Sequence, residues 1–181
     1  MTYNELIDKY YPAGSRRRDI YLRHCRAVAS LALELNSRLD EPLDVAEVEE
    51  AAMLHDIGIV MTDAPDLDCH GTLPYIAHGV AGADIIRRAG LPERDARVAE
   101  RHTGSGLTTD DIERQQLPLP TGRVYLPVTR LERLVCYADK FYSKSGDMKR
   151  KPFDAVAASM ARHGSDALNR FNALATEFGH P

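Results

Sequence analysis

The sequence contains no apolar run approaching the ~18 residues of a membrane-spanning helix, no Cys-x-x-Cys pair and no excess of positive charge. Its three cysteines, Cys25, Cys69 and Cys136, stand far apart and are odd in number. That spacing argues against a disulfide framework or a thiolate zinc knuckle and fits reduced thiols. A net charge of −4 and a pI near 6.0 provide no general field to draw in nucleic acid or an anionic membrane. The polar opening Met1-Thr2-Tyr3-Asn4-Glu5 lacks the pattern of a signal peptide, so the expected location is cytoplasmic. Strand-like alternation, internal repeats and low-complexity tracts are also missing. The one β-leaning stretch, Arg123 to Leu126, is too short and too close to prolines to carry a sheet.

What is present is a balanced composition, 44% apolar and 28% charged over 181 residues, enough to bury about two-thirds of the unfolded surface without staples. Helical spacing runs through most of it. Thr2 to Tyr11 stops at Pro12-Ala13-Gly14, and Ser15 is placed to cap a long helix to about Arg38, with Ile20, His24, Val28, Leu31 and Leu35 on one stripe. Asp44 caps the next, Val45 to about His55. Further helices are expected over Tyr75–Ala89, Pro92–His102, a short turn near Asp110–Gln115, Arg130 to about Lys144, Pro152–Arg162 and Ser165–Phe178. The expectation is an all-α helical bundle forming one domain over residues 1–181. The two long loops, 57–74 and 103–127, exceed ordinary connectors and are expected to form pocket walls.

Several polar side chains fall on the apolar stripes. His24 lies between Ile20 and Val28, and His55 ends a helix bearing Val48, Ala51 and Ala52, with Asp56 immediately after it. His78 shares a side with Ala81, Gly82 and Ile85, His102 with Val98 and Ala99, and Asp139 with Val135 and Tyr142. One histidine on such a stripe is ordinarily a hydrogen-bonded core residue. Asp139 alone would be satisfied by Ser143 or an arginine. An aspartate is rarely buried without a partner or a cation, and six such polar residues spread over five helices point to a metal site.

The string Ala51-Ala52-Met53-Leu54-His55-Asp56-Ile57-Gly58 resembles the HDIG form of the HD-domain phosphohydrolase signature. An upstream histidine (His24), the His55-Asp56 pair and a distal aspartate in an ADK-like helix (Asp139) follow in the family's order. His78 and His102 match the two additional histidines many members carry. The resemblance covers about residues 20–144, with the helices of 152–178 packed on that core; no GYP motif and no regulatory or synthetase domain is evident. It implies two divalent metal ions sharing Asp56, one held with His24, His55 and Asp139, the other with His78 and His102. A mononuclear site of His24, His55, Asp56 and Asp139, with His78 and His102 orienting substrate, is the other form the resemblance allows. Imidazole and carboxylate donors without thiolate suit Fe or Mn first, then Ni, Co or Mg.

The implied activity is a metal-dependent phosphohydrolase that cleaves a phosphoester or phosphoanhydride of a nucleotide or other small phosphorylated metabolite through metal-activated water. Asp56 and Lys140 would carry the catalysis. Lys140, Ser143, Lys144, Arg101 and Thr103 would meet the substrate, with the Thr103–Gly106 loop offering backbone amides. The alternatives are a di-iron oxygenase built on the same ligands and a non-catalytic binding module. The run Arg16-Arg17-Arg18 is read as a solvated face, His70 is given no ligand role, and a monomer and a homodimer are both compatible with the sequence.

Overall fold

The computed structural model describes residues 1–181 and contains nine α-helices: α1 (Tyr3–Tyr10), α2 (Arg16–Asn36), α3 (Val45–Leu54), α4 (His78–Arg88), α5 (Glu93–Arg101), α6 (Thr109–Arg114), α7 (Arg130–Asp139), α8 (Phe153–Ala161) and α9 (Ser165–Phe178). The fold is all-α, as expected from the periodicity. Its only sheet is a two-residue antiparallel ladder, β1 (Asp63–Ala64) against β2 (Cys69–His70).

The helices begin where side chains can accept the first free amides. Ser15 accepts from Arg18 N, Asp44 from Glu47 N and Thr129 from Glu132 N, the last within a reciprocal capping box. The long α2 buries Tyr21, His24, Cys25, Val28, Leu31, Ala32 and Leu35 and packs on α3 and α7, while α4 packs on α5. One hydrophobic core runs through these elements and on into α8 and α9. There Tyr137, Phe141, Phe171 and Phe178 form an aromatic cluster with centroids 5.1–6.1 Å apart.

Three local features differ from the sequence expectation. α7 closes at Asp139 instead of Lys144: Lys140 N, Phe141 N and Tyr142 N bond three residues back, to Tyr137, Ala138 and Asp139 carbonyls. The chain thus leaves α7 through tighter turns. Residues Tyr75–Ala77 form a 3₁₀ turn and the α-helix starts at His78. The 57–74 segment is more ordered than a plain loop, with a 3₁₀ turn over Ile57–Met61 leading into the β1–β2 ladder. Two-residue strands are too short to leave an alternating pattern.

Tyr11 fixes the start of that segment, and its stacking partner Tyr21 ties α2 to α3. The Tyr11 hydroxyl donates to Ile57 O (3.3 Å) and accepts from Val60 N (3.2 Å), and the Tyr21 hydroxyl donates to Met53 O (2.5 Å). The two rings stack at 4.1 Å. Gly58 then passes directly against α4: a Cβ there would stand 2.1 Å from His78 O and 2.2 Å from Gly82 N. Only a residue without a side chain permits this approach.

Candidate metal centre

Five of the six sequence-singled residues stand at helix ends. His55 and Asp56 leave α3, His78 opens α4, His102 follows α5 and Asp139 ends α7; His24 alone lies within a helix. All six are buried, and the fold brings them together in two groups: His24, His55, Asp56 and Asp139, and Asp56, His78 and His102.

The backbone orients three of the rings. His55 Nδ1 lies 2.6 Å from Ala52 O, His78 Nδ1 2.7 Å from Tyr75 O and His102 Nδ1 2.8 Å from Ala99 O. A carbonyl only accepts, so each Nδ1 carries the proton, and in a neutral ring Nε2 is left with its lone pair. His78 Nε2 and His102 Nε2 face each other at 3.0 Å, and His24 Nε2 and His55 Nε2 at 3.3 Å. At the His78–His102 contact, two facing lone pairs cannot satisfy one another.

Asp56 lies between the groups and gives one oxygen to each. Its Oδ2 is 3.2 Å from His24 Nε2 and 3.3 Å from His55 Nε2, and its Oδ1 is 3.2 Å from His102 Nε2 and 3.5 Å from His78 Nε2. Asp139 Oδ1 is 3.0 Å from His24 Nε2 and 3.4 Å from His55 Nε2. Adjacent donors at about 2.1 Å from one cation in an octahedral arrangement are separated by about 3 Å. These distances therefore suit cations between the donors. Both Asp56 oxygens are buried without a hydrogen bond of good geometry; Oδ2 has the Lys144 ammonium at 2.9 Å, whereas Oδ1 has only imidazoles beside it, as expected of a group that binds an ion.

The electrostatics agree. Burial works against charge on Asp56, but Lys144 and His55 outweigh it and hold the carboxyl well below its usual range. Asp139 is likewise held well below, with Lys140 and Lys144 outweighing burial. Burial, reinforced by His102, pushes His78 down to about 3, and burial lowers His102. Ionised carboxylates beside neutral imidazoles are the donors divalent ions require. His55 departs from this pattern: burial opposes its charge, yet Asp56 and Cys25 pull it well above the usual value. A cation between these donors would displace that proton.

Lysines surround the centre. Lys140 Nζ touches Asp139 Oδ2 (2.7 Å) and donates to His102 O (2.9 Å), while Lys144 Nζ stands 2.9 Å from Asp56 Oδ2. A cleft of about 150 Å³ is lined by Asp139, Lys140, Lys144 and Lys151, among others. Sequence reasoning missed Lys151, because only the return of the chain from α7 to α8 brings it there. The Arg16–Arg18 run also divides. Arg18 pairs with Asp8 and Tyr11 O, whereas Arg17 lines a water-sized cavity of about 10 Å³ with His24, Asp56 and Lys144. Its position seven residues before His24, on the same face of α2, was the signal available in the sequence.

The remaining candidates are more dispersed. Arg101 is committed to Glu132 (2.9 Å), a link between α5 and α7. Ser143 is half-buried. Thr103 borders a separate cavity of about 310 Å³ together with Gly104–Gly106. One amide of that expected anion cradle is already used, since Gly106 N donates to Thr103 O. His70 is exposed, 3.8 Å from Asp68 and paired with Asp63 in the small ladder.

With this geometry, the molecule falls in the class of all-α proteins whose helix ends converge a histidine–aspartate cluster. The sequence profile of the HD domain matches residues 21–143, and the chain belongs to that family. It is 40% identical over 121 residues to an uncharacterized protein of Methanocaldococcus jannaschii, covering 65% of this chain and 63% of that one. It is 32% identical over 125 residues to a protein of Picrophilus torridus named tRNA (cytidine(56)-2'-O)-methyltransferase, covering 69% of this chain and 32% of that one. A Thermoplasma volcanium protein of the same name is 30% identical over 169 residues, 93% of this chain and 44% of that protein. The chain thus spans from about a third to just under two-thirds of the length of these relatives. The HD domain of the L. monocytogenes phosphodiesterase PgpH shares the fold, with a TM-score of 0.56 at 13% identity over 98% of this chain and 97% of that one. No helix is long and apolar enough to cross a membrane.

Proposed function

We propose that the protein is a metal-dependent phosphohydrolase acting on a phosphoester or phosphoanhydride of a nucleotide or other small phosphorylated metabolite. The observation that carries this reading is Asp56, a fully buried carboxylate that presents one oxygen to each of two histidine groups. His24, His55, Asp56 and Asp139 would hold one divalent ion, and Asp56, His78 and His102 a second, with iron or manganese favoured by the donor types. When bound, such ions supply a water of lowered pKa and offset charge growing on the phosphoryl oxygens.

The chain's own residues supply the rest. The carbonyls of Ala52, Tyr75 and Ala99 hold three imidazoles in one tautomer. Lys140 fixes the Asp139 carboxylate against the His102 carbonyl. Lys144 and Lys151 line the cleft and would meet the anionic oxygens of a substrate, with Arg17 on the cavity beside His24. A cleft with three lysines favours a phosphorylated substrate over the C–H substrate of a di-iron oxygenase. The named activity of the methyltransferase relatives belongs to proteins of which this chain matches less than half.

The test is elemental analysis of protein purified without chelator, then a panel of phosphomonoesters and phosphodiesters with and without oxygen monitoring. Asp56→Ala should lose both bound metal and turnover. Retained hydrolysis in that variant, or oxygen uptake coupled to substrate loss, would refute the reading.

A further inference from the structure

A second cavity lies next to the lysine cleft, and none of its lining residues is among the six candidate metal donors. At about 310 Å³ it lies at the lower end of the range of small-molecule sites, roughly 300–1,000 Å³. It adjoins the lysine cleft, because Lys140 and Met160 line both. A substrate phosphate in the cleft would therefore have its organic group directed across Lys140 into this space. The same chain that ends the ligand set at His102 continues as the cavity wall at Thr103.

The lining suggests what that group is. Ile76, Leu117 and Met160 are apolar, and Gln115, His163 and Arg170 are polar. The Arg170 guanidinium is anchored, its Nη2 donating to Asp111 Oδ2 (2.6 Å) and Gly106 O (3.2 Å). Asp111 is itself tied to Thr108 and Arg114. The Arg170 Nε–H is buried behind this anchor, so the guanidinium is held in a fixed plane at the cavity wall. A planar heterocycle can stack on such a guanidinium and on the Met160 thioether. The Gln115 amide offers both a donor and an acceptor to the edge of a base.

We propose that this cavity recognises the nucleoside of a nucleotide substrate, with Gln115, His163 and Arg170 setting specificity; this rests on the phosphohydrolase reading above. The test uses metal-loaded full-length protein, four ribonucleoside monophosphates, p-nitrophenyl phosphate as a substrate without a base, and calorimetric binding of the four free nucleosides. Gln115 and His163 are exposed, so Gln115→Ala and His163→Ala leave the core intact. The expected result is that one nucleoside binds and that each variant weakens it. The variants' kcat/KM for the matching nucleotide should fall about tenfold further than for p-nitrophenyl phosphate. Equal losses on both substrates, or wild-type protein that binds no nucleoside, would overturn the inference. Hydrolysis of p-nitrophenyl phosphate without nucleoside binding refutes the cavity assignment alone, and nucleoside binding without any hydrolysis refutes the enzymatic reading alone.

Discussion

Lys140 shows how much a single side chain changes meaning between sequence and structure. One residue past Asp139, it reads as a substrate donor at the rim of a cavity. In the fold its ammonium bridges the Asp139 carboxylate and the His102 carbonyl, and so joins the ends of α7 and α5. Under the proposed metal-centre reading it positions two of the six candidate donors. Lys140→Met keeps the aliphatic stem and deletes the charge. Metal affinity, measured by titration of chelator-treated protein, is expected to fall about 10–100-fold, as for other groups that orient metal ligands. An unchanged affinity, with only KM for substrate raised, would return Lys140 to the substrate role. Arg17 makes the opposite move, from a presumed solvated run to the wall of a cavity that touches His24 and Asp56.

At the scale of elements, the close contact of the 57–61 turn with α4 holds the two donor groups together. Gly58 abuts the first turn of α4, and Gly79 abuts α5, where a Cβ would lie 2.6 Å from Ala99 O. These two glycines set the distance between the His55-Asp56 pair, His78 and His102. Gly58→Ala must push α4 outward. The expected cost is about 1–3 kcal/mol or more, read as a lowered melting temperature, and of the two ions proposed above the one assigned to Asp56, His78 and His102 should be lost first. A variant with full stability and two metals would show that α4 is free to shift. α3 and α7 make the complementary contribution, ending at the residues whose side chains face inward.

For the whole molecule, one buried acid has no evident role in the centre. Asp95, at the start of α5, is fully buried with neither oxygen hydrogen-bonded. Burial, reinforced by Glu50, raises its pKa to about 7, with Arg94 opposing. Because the folded pKa exceeds the unfolded one, the folded state binds more protons between the two values. Stability from this group is therefore present below about pH 4 and lost as pH rises through about 7. Asp95→Asn should gain on the order of 1–3 kcal/mol above pH 7 and differ little below pH 4. Urea melts of both proteins across this window check it. A constant difference between the two curves would remove Asp95 as the cause.

Helix locations were legible in the sequence because caps and breakers act locally: Ser15 and Asp44 accept the amides their spacing indicated. The six polar residues on apolar stripes were legible for the same reason, since burial of a stripe follows from its period. Local pattern did not reveal the end of α7, the small ladder, Lys151 or the 310 Å³ cavity, which depend on segments far apart in the chain. The sequence by itself determined which side chains are driven inward, because hydrophobic periodicity acts through neighbouring residues. Only the tertiary structure decided which oxygen of Asp56 faces which histidines, which lysines surround them, and what space adjoins them. Those relations arise from packing between helices, and no spacing along one chain encodes them.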